Sequence, residues 1–176
     1  MERDRRPLYF WLLFAVADAL ISTYYWPRVP EMMAQHFDGA GHPNGWATKS
    51  GFFIFMGMLI AGLGVVFFGL PKLLRKLPFA LVNIPYKSYW EATPERQKRA
   101  WDMTEQQMNW FAVALNALLT FTLYLTLAAN LRPGRRLDSP TLIAALIAFV
   151  GFTVGWMVLF IRRFKPPETP ETPETP

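Results

Sequence analysis

The chain has 176 residues, of which 52% are hydrophobic and only 18% charged, against about 25% charged in an ordinary soluble domain. Its net charge is +5, and the absence of cysteine excludes disulfides and thiolate metal sites. Because the apolar residues fall in long blocks, the composition favours a membrane protein over a soluble bundle, whose apolar stretches would be shorter and carry a polar stripe. The basic excess suits attraction to anionic lipid and gives no indication of nucleic-acid binding.

Four apolar blocks lie at residues 8–26, 52–70, 110–129 and 141–161. Each has close to the roughly 20 residues that a helix needs to cross the hydrocarbon of a bilayer. We therefore predict an all-α integral membrane protein with four transmembrane helices. The segments outside them are residues 1–7, 27–51, 71–109, 130–140 and 162–176.

The distribution of Lys and Arg predicts how the chain is oriented. Thirteen of these residues lie in segments 1–7, 71–109 and 162–176, and five lie in segments 27–51 and 130–140. Cytoplasmic loops carry the excess of positive charge, so both termini are predicted to be inside. The first block is too long for a signal-peptide core and ends in aromatic residues, which suit the membrane interface.

The segment between the first two spans is short, polar and punctuated by glycine and proline. Pro27 and Pro30 end the first helix, and about two helical turns are predicted over Glu31–Phe37, with a Met and Phe side on the outer membrane surface. Gly39 would stop this short helix. A tight turn is predicted at residues 43–45, where the sequence is Pro-Asn-Gly.

The same loop contains the residues best placed to meet a ligand, because a polar loop between two spans must lie at a water interface. Trp46 can insert into that interface, and Lys49 marks the start of the second span. His36, Asp38 and His42 could approach a zinc ion; alternatively His36 packs at the interface and Asp38 caps the turn. The chain has no HExxH, GxSxG or phosphate-binding glycine motif, so neither a cofactor nor an enzymatic activity is predicted.

The segment before the third span predicts a long helix. Thr93 is a suitable cap with Pro94 as the first helical residue, and neither Gly nor Pro occurs over residues 95–131. The third helix is therefore predicted to extend into the cytoplasm beyond the bilayer. After the fourth span, Glu-Thr-Pro occurs three times in residues 168–176, a composition that predicts an extended, disordered tail.

Small residues at spacings of three and four occur in the second and fourth spans. Gly151 and Gly155 form a GxxxG pattern, which lets helices approach closely in lipid. The pattern is compatible with packing inside the chain or with a homodimer, and internal packing is the favoured interpretation.

One carboxylate lies within a span. Asp18 is near the middle of the first span, where an ionised carboxylate costs roughly 2.5 to 3.5 kcal/mol, so it should face protein or water. Asn116 and Thr120 of the third span lie at a similar depth and are its expected partners. The three residues either join two helices through a hydrogen bond or form a proton or cation site.

Eight residues of the outer loop carry a resemblance. They resemble the signature of the bacterial membrane proteins known as domain of unknown function 1648, which also forms the front part of SdpI-like toxin-immunity and signalling proteins. The inner loop looks like the NIPxKxYW motif that often follows in such chains, although no SdpI-type region is identified in spans three and four. The residues are Pro30, His36, Phe37, Gly41, Pro43, Gly45, Trp46 and Lys49 in the outer loop, and Asn83, Ile84, Pro85, Tyr86, Lys87, Tyr89 and Trp90 in the inner loop.

The resemblance implies a multi-pass protein of the bacterial cytoplasmic membrane. The leading hypothesis is a non-enzymatic protein that senses or sequesters an extracellular or membrane-borne peptide or small ligand through its outer loop, with the inner loop available to a cytoplasmic protein. The alternative is a small transporter or ion-coupled accessory subunit that uses Asp18. A helper subunit that packs through the glycines of span four is a third possibility.

Overall fold

The computed structural model of the chain describes residues 4–167, and the disordered tail predicted for residues 168–176 lies outside them. Four of its helices are long and apolar enough to cross a membrane, as the sequence predicts. The elements in chain order are α1 (Arg6–Tyr25), β1 (Met32–Phe37), β2 (Pro43–Thr48), α2 (Lys49–Leu74), a 3₁₀ turn (Phe79–Leu81), α3 (Lys87–Glu91), α4 (Pro94–Asn130), a 3₁₀ turn (Pro133–Arg135) and α5 (Ser139–Arg163).

Three of the four long helices begin at a side chain that accepts a hydrogen bond from the first turn. Thr48 caps α2, Thr93 caps α4 and Asp138 caps α5, each through a backbone N–H three residues later. The cap at Thr93 confirms the predicted start, at Pro94, of the long helix that contains the third span. As predicted, α4 is one continuous helix of 37 residues, or about 55 Å.

Helix α4 is the centre of the bundle, because α1 and α2 both pack against it. Close approach occurs between α1 and α2, where a Cβ on Gly64 would lie 2.6 Å from the Trp11 ring. By contrast, a Cβ on Gly151 or Gly155 would meet no atom of residues 4–167 within 4 Å. The interpretation that these two glycines serve internal packing is therefore wrong, and the homodimer remains a prediction.

The loop between the first two spans is a β-hairpin, so the prediction of an all-α protein is corrected to a mostly helical one. Residues 32–37 form a strand and not two helical turns, and the Pro-Asn-Gly sequence lies within β2 and not in a turn. The strands are antiparallel, with Met33 opposite Ala47 and Ala34 opposite Trp46, and an irregularity follows at Gln35. The physical reason is tertiary: β1 is held by side chains nearly 100 residues later in the chain, which local helix spacing cannot reveal.

The bundle has two ends with separate hydrophobic clusters. At the hairpin end, which carries the hairpin and the α4–α5 connection, the cluster consists of Val29, Met33, Phe52, Leu123 and Leu127. At the terminal end, which carries the start of α1, the α2–α4 connection and the end of α5, it consists of Phe79, Ile84, Trp90, Ala100 and Phe164.

Candidate functional site

The hairpin turn is built around the side chain of Asp38. Its Oδ1 accepts hydrogen bonds from the backbone N–H of Ala40, at 2.9 Å, and of His42, at 2.8 Å. These bonds, with the His42 backbone bond as the largest cause, lower the pKa of the Asp38 carboxyl below its ordinary value. Gly41 follows with a φ of +83°, a conformation that favours glycine. Asp38 therefore caps the turn, as one of the two interpretations of this residue predicts.

The turn is docked onto the connection between α4 and α5. The Leu137 N–H donates to the Gly41 carbonyl at 3.0 Å, and the Arg136 guanidinium donates to the Ala40 carbonyl at 3.3 Å. A Cβ added to Gly41 would lie 2.3 Å from the Leu137 carbonyl oxygen, well inside van der Waals contact. Gly41 is thus required both by its backbone conformation and by close approach.

Strand β1 is held along the edge that does not pair with β2. The residues that hold it lie at the end of α4 and in the α4–α5 connection. The Asn130 side chain accepts from the Ala34 N–H and donates to the Ala34 carbonyl, both at 2.8 Å, as a neighbouring strand would. The Arg135 guanidinium donates to the Met32 carbonyl at 2.8 Å. Asn130 and Ala34 are buried, so these bonds are shielded from water.

The opposite edge of the hairpin belongs to β2. The backbone groups of Ala34 and Met32 point to Asn130 and Arg135, away from β2, so both residues belong to non-hydrogen-bonded pairs of the ladder. Their partners Trp46 and Thr48 must then direct their N–H groups away from β1. The described part of the chain has no third strand beside this edge. The Gln35 side-chain amide reaches the Trp46 carbonyl at 3.4 Å.

The side chains around this edge are aromatic and basic. Trp46 is exposed, with the Arg135 guanidinium 5.1 Å from its ring centroid. Lys49 begins α2 as predicted, and its Nζ lies 2.6 Å from Glu31 Oε1 and 5.3 Å from the centroid of the Trp26 ring. The surface therefore offers apolar ring faces next to cations.

The structure brings all eight predicted loop residues to the hairpin end, and several of them have a structural role. Gly45 lies against His36, where a Cβ would be 2.7 Å from the His36 Cβ. Phe37 packs on the cluster of Leu125, Ala129 and Leu137, while Pro30 and Pro43 are half-buried.

The structure does not gather the three candidate zinc ligands into one site. His42 Nδ1 lies 3.3 Å from Asp38 Oδ2. The described residues nevertheless contain no group of three His, Cys, Asp or Glu side chains that could hold a metal, and His36 packs against Gly45 instead.

The intramembrane polar residues lie where the sequence predicts, between α1 and α4. Asp18 is buried, and the Thr120 side chain lies near its carboxyl. The Thr120 hydroxyl, however, donates to the Asn116 carbonyl at 3.0 Å, and Asn116 Nδ2 donates to the Trp11 carbonyl at 3.5 Å. Neither oxygen of Asp18 has a hydrogen-bond partner of acceptable geometry among residues 4–167.

The NIPYKSYW segment folds the terminal end of the bundle. Trp90 is buried, and its Nε1–H donates to the Phe164 carbonyl at 2.9 Å, which ties the α2–α4 connection to the end of α5. The Lys87 ammonium donates to the Ala80 carbonyl, and Arg96 lies 4.1 Å from the Tyr89 ring centroid. Ile84 is buried, Pro85 half-buried, and Asn83 and Tyr86 are exposed.

Two sets of residues at the ends of the bundle were not predicted from the sequence. Arg75 ends α2 and pairs with Asp102 at 2.6 Å and with Glu105 at 2.9 Å, a charged link between α2 and α4 at the terminal end. Asn130 and Arg135 were also missed. In the sequence they are an amide and a guanidinium just after an apolar span. This pattern predicts that they interact with a loop, but it does not identify the loop.

The fold and the site define the class of this molecule. Four candidate transmembrane helices and a hairpin docked on one end of the bundle make it a multi-pass membrane protein. Residues 13–60 match the family described as Domain of unknown function (DUF1648), so this part of the chain is a DUF1648 domain. Comparison with the curated proteins and with the solved structures gave no match. The match spans most of α1, the hairpin and the first part of α2.

Proposed function

We propose that this protein is a non-enzymatic receptor of the bacterial cytoplasmic membrane that senses or sequesters an extended peptide at its hairpin end. Such a role is of the immunity or signalling type known from SdpI-like proteins. The observation that carries the proposal is the free edge of β2 in a hairpin whose other edge is already held by α4. An open strand edge binds extended chains by adding a strand.

The chemistry of the edge favours a peptide with apolar or aromatic side chains. The outward N–H groups of Trp46 and Thr48 would donate to carbonyls of the added strand. The exposed ring of Trp46, and Met32, which is also exposed, would pack on its side chains. Because Asn130 and Arg135 hold the hairpin rigidly, little ordering would be needed on binding, which favours affinity.

The proposed orientation follows from charge. Thirteen Lys and Arg lie in the segments of the terminal end, so this end is assigned to the cytoplasm and the hairpin to the outside. A peptide arriving from outside or along the membrane surface then meets β2 directly. A cytoplasmic partner would contact the exposed Tyr86 and Leu81, because Ile84 and Trp90 are buried within the chain.

A photo-crosslinker tests the proposal. A photoreactive amino acid replaces Asn44, an exposed residue of β2, in growing cells. We expect a discrete peptide adduct by mass spectrometry, and about tenfold less of it when the chain also carries Trp46→Pro. Proline removes the outward N–H, and one hydrogen bond contributes about 0.5 to 1.5 kcal/mol.

The matched control is Trp46→Val, which removes the indole but keeps the N–H and a strand-forming side chain. Its adduct should exceed that of Trp46→Pro. The same photoreactive residue at Ser88, an exposed position of the terminal end, should give no peptide adduct. Adducts with lipid alone, or equal yields from the proline and valine variants, would refute strand addition at β2.

A further inference from the structure

A group of buried acceptor atoms lies between α1 and α4, apart from the hairpin. Asp18 is 4% exposed and Asn116 is 2% exposed. Both carboxylate oxygens of Asp18 and the Oδ1 of Asn116 lack a hydrogen-bond partner in the described part of the chain. Unpaired polar atoms at this depth are costly in an apolar environment, so each requires an explanation.

The neighbouring donors are already used. Asn116 Nδ2 donates to the Trp11 carbonyl of α1, and the Thr120 hydroxyl donates to the Asn116 carbonyl. Thr120 lies near the carboxyl and can offer it no second hydrogen. The interface therefore holds more acceptors than donors, and what it lacks is a hydrogen or a positive charge.

The surrounding helices supply no charged partner. Between Pro7 and Arg28, α1 and its end carry no charged residue except Asp18, and α2 carries none between Lys49 and Lys72. The part of α4 that spans residues 110–129 has no charged side chain, and nor does α5 over residues 140–161. Towards the hairpin end, α1 and α4 carry the phenols of Tyr25 and Tyr124, whose ring centroids lie 6.4 Å apart.

From this arrangement we infer that Asp18 is a membrane-embedded proton-binding site, completed by Asn116. A proton on the carboxyl turns one acceptor oxygen into a donor, and Asn116 Oδ1 is the unpaired acceptor of α4 that would accept from its O–H. This single proton supplies both groups with a partner and leaves no charge in the interface. The site is independent of the peptide site, and its ligand is a proton.

The proton controls how α1 packs on α4. Loss of the proton leaves an ionised carboxylate facing an amide oxygen, and both would recruit water into the interface. Helix α1 leads into the hairpin, and α4 holds the hairpin through Asn130. A change in how α1 packs on α4 would therefore move the two elements that position the hairpin.

Infrared spectroscopy of the full chain in lipid nanodiscs tests the inference. We expect a protonated-carboxyl C=O band at pH 7 that moves when aspartate is labelled with ¹³C and is lost completely in Asp18→Asn. In Asn116→Leu the band should persist but shift to higher frequency, because the O–H has lost its acceptor. Asp38→Asn, which changes the exposed carboxyl of the hairpin turn, should leave the band unchanged.

Three outcomes would overturn the proton site. The first is no protonated-aspartate band at pH 7 in the unaltered chain. The second is a carboxylate band that changes when choline is replaced by sodium, which would assign the site to a cation. The third is a protonated-carboxyl band whose frequency is the same in Asn116→Leu as in the unaltered chain. The labelled unaltered chain and Asn116→Leu decide the question even if Asp18→Asn does not fold.

Discussion

The Gly41→Ala variant is expected to release the hairpin turn from the α4–α5 connection. The new Cβ would lie 2.3 Å from the Leu137 carbonyl oxygen, and alanine would have to adopt a φ of +83°. A left-handed conformation costs a non-glycine residue about 1 to 2 kcal/mol, and overpacking adds about 1 to 3 kcal/mol. A loss of about 3 kcal/mol in the free energy of local opening corresponds to amide hydrogen exchange on the order of 100-fold faster at Leu137, whose N–H donates to the Gly41 carbonyl.

Gly39→Ala is the matched control, two residues away in the same turn. A Cβ on Gly39 would meet no atom of the described residues within 4 Å, and the φ of Gly39 lies outside the left-handed range. Alanine there should leave hydrogen exchange at the Leu137 amide unaccelerated. It lowers the conformational entropy of the unfolded chain and introduces no strain into the folded one. The docking of the turn would be disproved if both variants exchanged at the same rate, or if Gly41→Ala exchanged like the unaltered chain.

The Asn130→Ala variant should release the edge of β1 that does not pair with β2. It removes both hydrogen bonds to Ala34 and leaves a buried N–H and a buried carbonyl without partners. Each unsatisfied group costs about 1 to 3 kcal/mol, so the total for the two groups is about 2 to 6 kcal/mol. Hydrogen exchange at the Ala34 amide should accelerate by at least about 30-fold, and peptide adducts at Asn44 should fall because β2 is no longer held.

Two further variants separate loss of this contact from a general effect. Asn130→Asp can still accept from the Ala34 N–H but cannot donate to the Ala34 carbonyl. The hydrogen-exchange rate of the Ala34 amide in this variant should therefore lie between those of the unaltered chain and Asn130→Ala, or close to that of Asn130→Ala. Asn44→Ala removes an exposed asparagine of the same hairpin and should leave the Ala34 amide protected. Equal protection of Ala34 in the Asn130→Ala and Asn44→Ala chains would show that Asn130 does not hold the hairpin.

The helical part of the fold was predictable because its signals are local. Apolar length placed the first, second and fourth candidate spans within a few residues of α1, α2 and α5, and it placed the end of the third close to the end of α4. Thr93 with Pro94 marked the start of α4. The glycine and proline pattern of the outer loop likewise identified the segment that belongs to the DUF1648 domain. Each of these inferences needs only residues close together in the chain.

The hairpin was not predictable because its causes are distant in sequence. The spacing of Met32 and His36 satisfies a helix as well as a strand, and the choice is made by Asn130, 96 residues after Ala34. In the same way, the sequence marks Gly41 as unusual, but only the position of Leu137 explains why a side chain is excluded there. Gly151 and Gly155 show the converse, because their GxxxG motif has no packing partner in the part of the chain that the structure describes.

Cysteine labelling in intact cells tests the central claim most directly, that the hairpin end faces outward across a four-span bundle. The chain has no cysteine, so Asn44→Cys and Ser88→Cys each introduce a single thiol at an exposed position of opposite ends. A membrane-impermeant maleimide should label position 44 in intact cells and position 88 only after permeabilisation. Labelling of position 88 but not of position 44 from outside would contradict both the orientation and the receptor role built on it.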